Sequence, residues 1–204
     1  MHKNVSMKMN RKRAAGKAAL VSIAVAASTA LTSGSALAAV VCGPATNISI
    51  PNTFAGVYIN FVTGVTATTT AGAPGWDFGP WGSSNTLAFF FPSTPTNSHG
   101  AVASATTGPY LVLAPGTPIS AASTYAAVTA TTATAALQAG VTGALVGFRL
   151  YNESTSAINY GWAEFNTTAP LGFPATITRY CYQNDGTEIT AGTTPVSLQN
   201  FSVD

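Results

Sequence analysis

The chain has 204 residues, 47% of them hydrophobic and 7% charged, with a formal net charge of +2. Six of its eight basic residues fall within the first 17 positions, so residues 39–204 keep only Arg149 and Arg179 against six acids, a net of −4. A stretch with no lysine and two arginines excludes a phosphate-neutralising nucleic-acid surface and a polybasic lipid-binding stripe, and high hydrophobicity at low charge excludes disorder.

The first element is an export signal. Lys3, Lys8, Arg11, Lys12, Arg13 and Lys17 form a basic stretch without an acid, an Ala-rich apolar run follows from Ala18 to Leu31, and Ala36-Leu37-Ala38 closes it. Basic, apolar and small-residue parts in that order predict a Sec-type signal peptide over residues 1–38, cleaved after Ala38, with Ala39 or Val40 as fallback. The apolar run is shorter than the ~20 residues of a spanning helix. Arg11-Lys12-Arg13 is not a twin-arginine motif, and Val40-Val41 before Cys42 does not suit lipidation. The expected product is secreted or periplasmic, with no membrane anchor once the signal is removed.

Residues 39–204 then read as one domain. Residues 48–50 and 54–62 are expected as opening strands, with Val57, Ile59 and Phe61 alternating against Tyr58 and Asn60. Residues 66–74 form a weak strand and a loop. Gly75-Trp76-Asp77-Phe78-Gly79-Pro80-Trp81-Gly82 sets aromatics between turn formers and is expected as a loop. Residues 87–91 and 110–113 are further strands, and 133–139 is the one helical candidate, ended by Gly140.

A β-hairpin over residues 144–152 and 158–167, joined by 153–157, is the clearest element, with Val146, Phe148 and Leu150 on one face. Centring its loop on Thr155 pairs 146 with 164. Residues 176–183 make another strand, Asn184-Asp185-Gly186 a tight turn, and residues 197–203 a closing strand. The expected fold is all-β, a single antiparallel, jelly-roll-like β-sandwich of roughly ten strands. Cys42 and Cys181 are an even pair on an exported domain and predict a disulfide; free thiols or a redox pair are the alternatives, the latter opposed by the lack of a CxxC.

The blocks Gly147-Phe148-Arg149-Leu150-Tyr151-Asn152-Glu153, Asn159-Tyr160-Gly161-Trp162-Ala163, Gly172-Phe173-Pro174-Ala175-Thr176 and Tyr180-x-Tyr182 have a familiar look, as do Pro74 to Phe78 and Leu113 to Gly116. Together they resemble a recurring domain of exported Gram-negative proteins, many of which carry a PEP-CTERM sorting tail. The resemblance spans most of residues 39–204 and implies a secreted or surface β-sandwich. The chain departs from it by ending at Asn200-Phe201-Ser202-Val203-Asp204, without Pro-Glu-Pro, apolar helix or basic cluster.

Chemistry is harder to find. His99, the one histidine after residue 38, is expected in an exposed Pro/Thr/Ser loop, and no G-x-S-x-G frames a serine. One histidine and two paired cysteines do not make a zinc site. Glu153 and Glu164 on opposite strands are not cross-strand partners, so a two-carboxylate glycosidase is not expected. Calcium is the one metal with a conceivable ligand set, from Asp77 or from Asn152 and Glu153. The chain is therefore expected not to be an enzyme, and to need no cofactor. The first expectation is a non-catalytic structural component of an envelope or matrix, with itself as partner. The alternative is a carbohydrate-binding module in which Trp76, Asp77 and Trp81, with Tyr160, meet a polysaccharide through stacking and hydrogen bonds.

Overall fold

A computed structural model describes residues 39–44 and 47–195; the expected signal peptide and the expected closing strand at residues 197–203 lie outside the described residues. In chain order the strands are β1 (Val40–Cys42), β2 (Ile48–Ile50), β3 (Tyr58–Ile59), β4 (Thr66–Ala67), β5 (Gly79–Ser83), β6 (Thr86–Phe90), β7 (Gly100–Val102), β8 (Pro118–Ile119) and β9 (Tyr125–Ala126). After a 3-10 turn at Thr131–Thr134 and a single turn of α-helix, α1 (Ala135–Gln138), come β10 (Ala144–Asn152), β11 (Ala157–Asn166), β12 (Ala175–Gln183) and β13 (Ile189–Thr190).

Every strand pairing is antiparallel, and the fold is an all-β sandwich as the composition implies. The main sheet has the order β1-β12-β11-β10-β7-β9, with β2 also on β12, and three two-stranded ribbons, β3-β4, β5-β6 and β8-β13, complete it. Alternation along β10 sends Val146, Phe148 and Leu150 into one core and Leu145 into another. Both faces of the sheet are therefore covered, which is why β10 reads as a nearly unbroken apolar run.

The larger core is aromatic. Phe78 lies among Phe89, Phe148, Phe91, Phe61 and Phe165, with ring centroids 4.7 to 6.2 Å away. Tilted and edge-on pairs of this kind add about 0.5–1.5 kcal/mol each beyond their buried area. The opposite core is built on Trp162, Tyr160, Tyr125 and Leu145, roofed by Ile119 and Ile189, which face each other across β8-β13. Cys42 pairs with Cys181 across β1-β12, and the two form the expected disulfide, 139 residues apart in sequence.

Several elements differ from expectation. Of residues 54–62 only Tyr58–Ile59 is strand, because Asn60 bends the chain: its Oδ1 accepts from the Val62 and Thr63 amides and its Nδ2 donates to the Pro74 and Gly75 carbonyls. Asn60 is consequently buried rather than outward. Residues 110–113 make only two isolated bridges, Tyr110 to Ala103 and Leu113 to Leu145. In the hairpin Ala157 pairs with Asn152, one residue earlier than expected, leaving the four-residue loop 153–156 with Ser156 at φ 53°. Val146 thus faces Ala163, not Glu164. The six strands missing from the sequence-based expectation are β1, β5, β7, β8, β9 and β13.

Candidate functional site

The segment richest in aromatics does not fold as one loop. Trp76 precedes β5, but Trp81 lies within it, paired with Ala88 of β6. Gly79 pairs with Phe90, so Gly79, Trp81, Ala88 and Phe90 share one face of the ribbon, while Phe89 and Leu87 point into the core. Strand alternation in residues 87–91 carries the signal: with Phe89 and Phe91 buried, Phe90 must face out.

On that outward face the aromatics assemble. Trp76 stacks on Phe90 at 5.3 Å and meets Tyr58 edge-on at 4.9 Å. Phe54 meets Trp81 edge-on, also at 4.9 Å. Gly56 holds the 51–57 segment against β5: it has φ +59°, and a Cβ there would lie 2.3 Å from the Pro80 carbonyl. The result is an open cleft of about 250 Å³ lined by Phe54, Tyr58, Gly79, Trp81, Phe90 and Thr129, with Ala55 at its edge. Phe54 is 84% exposed and Phe90 40%. The Trp81 indole N–H is buried without a hydrogen-bond partner. Sequence reasoning found Trp76 and Trp81 and missed Phe54, Tyr58 and Phe90.

Asp77 and Tyr160 are not part of this cleft. Asp77 is 2% exposed. Its Oδ2 accepts from the Phe61 amide at 2.9 Å, its Oδ1 accepts from the Tyr151 amide at 3.3 Å, and His99 Nε2 lies 3.4 Å from Oδ1. Both carboxylate oxygens are thereby committed to the fold, which removes Asp77 from a sugar or calcium site. Burial pushes its carboxyl up, against the lowering effect of His99 and the two amides. Tyr160 is buried in the opposite core, stacked on Tyr125 at 6.2 Å.

The exposed position expected for His99 is also overturned. The imidazole is buried, Nδ1 being 2.9 Å from Ser98 Oγ, because β7 begins one residue later and draws the loop end into the core. Ser98, His99 and Asp77 thus line up as hydroxyl, base and acid. Ser98 is itself buried, however, and its hydroxyl donates to the Pro95 carbonyl, so the three act as a latch between loops.

The remaining acids are apart. Glu153 lies in the hairpin turn, where burial pushes its carboxyl up and Asp77 adds to the effect. Gly75 makes room for it, since a Cβ there would fall 2.0 Å from Glu153 Oε1. Glu164, facing Leu145 near the far end of the hairpin, binds Arg179 at 2.7 Å and the Thr178 hydroxyl at 2.6 Å. No group of three or more His, Cys, Asp or Glu able to hold a metal occurs among the described residues, and no helix among them is long and apolar enough to cross a membrane. Comparison with protein families, with characterised proteins and with solved structures finds no match, so the likeness to exported Gram-negative domains rests on its motifs alone.

Proposed function

We propose that this is an exported, non-catalytic binding protein whose Trp81 cleft takes the apolar face of a sugar ring in an extracellular polysaccharide. The observation that carries this is the open cleft walled by the rings of Phe54, Tyr58, Trp81 and Phe90, with Phe54 84% exposed at its mouth. Sugar rings offer both an apolar face for stacking and oxygens that accept hydrogen bonds. The disulfide and the N-terminal pattern support life outside the cytoplasm.

The test is electrophoretic retardation in gels cast with neutral and acidic polysaccharides. The wild type is expected to be retarded by at least one polysaccharide, Trp81→Ala to migrate freely, and Trp81→Phe to be intermediate because it keeps a smaller ring for stacking. Gly79→Val should also abolish retardation by filling the cleft, since a Cβ at Gly79 meets the Trp76 and Tyr58 rings at 3.5 Å and the Phe90 carbonyl at 3.6 Å, ordinary contact distances. Free migration of the wild type through every gel would sink the proposal.

A second role, as a self-associating envelope or matrix component, is supported by one feature. Phe54 is 84% exposed on a charge-poor surface, where a second copy could cover it.

A further inference from the structure

The two guanidinium groups of residues 39–204 have different surroundings. Arg179 is paired with Glu164 at 2.7 Å and lies over the Trp162 ring. Arg149 has no carboxylate within ion-pair distance among the described residues. Its Nε donates to the His99 carbonyl at 3.1 Å, and its Cζ lies 4.9 Å from the centroid of the Tyr125 ring. Neither contact neutralises the charge. Burial lowers the Arg149 pKa, the sign of a guanidinium held partly out of water.

Beside it is an open hollow of about 520 Å³, its wall polar at Asn97, Thr106, Ser123 and Thr124 and apolar at Ala127 and Val128, with Arg149 and Tyr125. That volume lies within the ~300–1,000 Å³ of small-molecule sites. An amide, three hydroxyls and one cation without a carboxylate partner outnumber the apolar Ala127 and Val128 around this space, which suits a polar ligand.

We propose that this cavity binds the carboxylate of a uronate residue in an acidic glycan, on the Arg149 guanidinium. With Nε engaged by the His99 carbonyl, the two terminal nitrogens have no protein partner among the described residues, and a guanidinium edge matches a carboxylate with two parallel hydrogen bonds. One cation balances one negative charge. A phosphate monoester, carrying nearly two, would stay half neutralised on a domain that is itself net negative. The amide and hydroxyls around Arg149 suit the ring hydroxyls of the same sugar. This site stands independently of the aromatic cleft, though the two are neighbours: Val128 lines the one and Thr129 the other.

Titration calorimetry at low salt with trigalacturonate, a neutral galactose trimer and a sulfated trisaccharide tests the assignment. Trigalacturonate is expected to bind at least tenfold more tightly than either of the others. Arg149→Gln should remove that preference. Asn97→Asp, which sets a carboxylate at the exposed rim without touching the core, should weaken trigalacturonate binding several-fold and keep the thermal unfolding profile. No binding of trigalacturonate, equal affinity for the neutral trimer, a preference for sulfate, or unchanged binding in the folded Asn97→Asp protein would each overturn the proposal. Trp81→Ala separates the two sites, since loss at the aromatic cleft should leave the uronate preference in place.

Discussion

Asp77 is the residue on which three segments depend, since it accepts from the amides of Phe61 and Tyr151 and lies beside His99. Removing the carboxylate strands two buried amides at once. Asp77→Ala is expected to destabilise the fold by about 2–4 kcal/mol in urea unfolding, and Asp77→Asn by less, because its amide oxygen still accepts one of the two bonds. Glu164 behaves differently. Its partial burial would raise its carboxyl, but the Thr178 hydroxyl and the Arg179 guanidinium outweigh this and hold it below the ordinary 4.5. A carboxyl lowered in the folded state contributes stability that is fully present above its unfolded value and is lost as pH falls through the folded one. The stability difference between wild type and Glu164→Gln should therefore be flat above pH 4.5 and shrink below it, as followed by denaturant unfolding across a pH series.

Among elements, the β10-β11-β12 meander was legible because each strand is at least nine residues long, enough for alternation to show. The two-residue strands β8, β9 and β13 were not. Two residues contain no period, and β8 and β13 exist only because Ile119 and Ile189 meet over Trp162 and Leu145. Trp81 was expected in a loop because Gly79-Pro80 and Gly82 punctuate it, yet β5 belongs to a two-stranded ribbon, where a missing proline N–H is tolerated. The Asp77–His99 latch was illegible for another reason: it joins residues from distant turns, and a Pro/Thr/Ser loop gives no sign that its last residue is drawn inward. Cysteine arithmetic, by contrast, succeeded, and its energetic content can be checked. The Cys42–Cys181 bond closes a loop of sequence separation 139, for which the chain-entropy model gives up to ~4–5 kcal/mol. The double variant Cys42→Ala, Cys181→Ala should lose stability up to that amount in guanidinium unfolding. Unchanged stability would mean that the closed loop contributes nothing through the unfolded chain.

For the whole described domain, the covering of both sheet faces leaves function to the ribbons and loops. The outward face of β5-β6 is apolar, with Phe54 and Phe90 exposed around the cleft. Few charges surround it, since residues 39–204 carry eight in all. A patch of this kind on a weakly charged surface is driven together by the hydrophobic effect and resisted by little electrostatic repulsion. If the domain assembles with itself, it should do so here. The weight-average mass in sedimentation equilibrium should rise with concentration for the wild type and stay at that of a monomer for Phe54→Ser, Phe90→Ser. Because the same residues wall the polysaccharide cleft, saturating glycan should also suppress the wild-type association, whereas Arg149→Gln should leave it unaltered. A wild type that stays monomeric at every concentration would remove assembly from consideration and leave the cleft to its ligand.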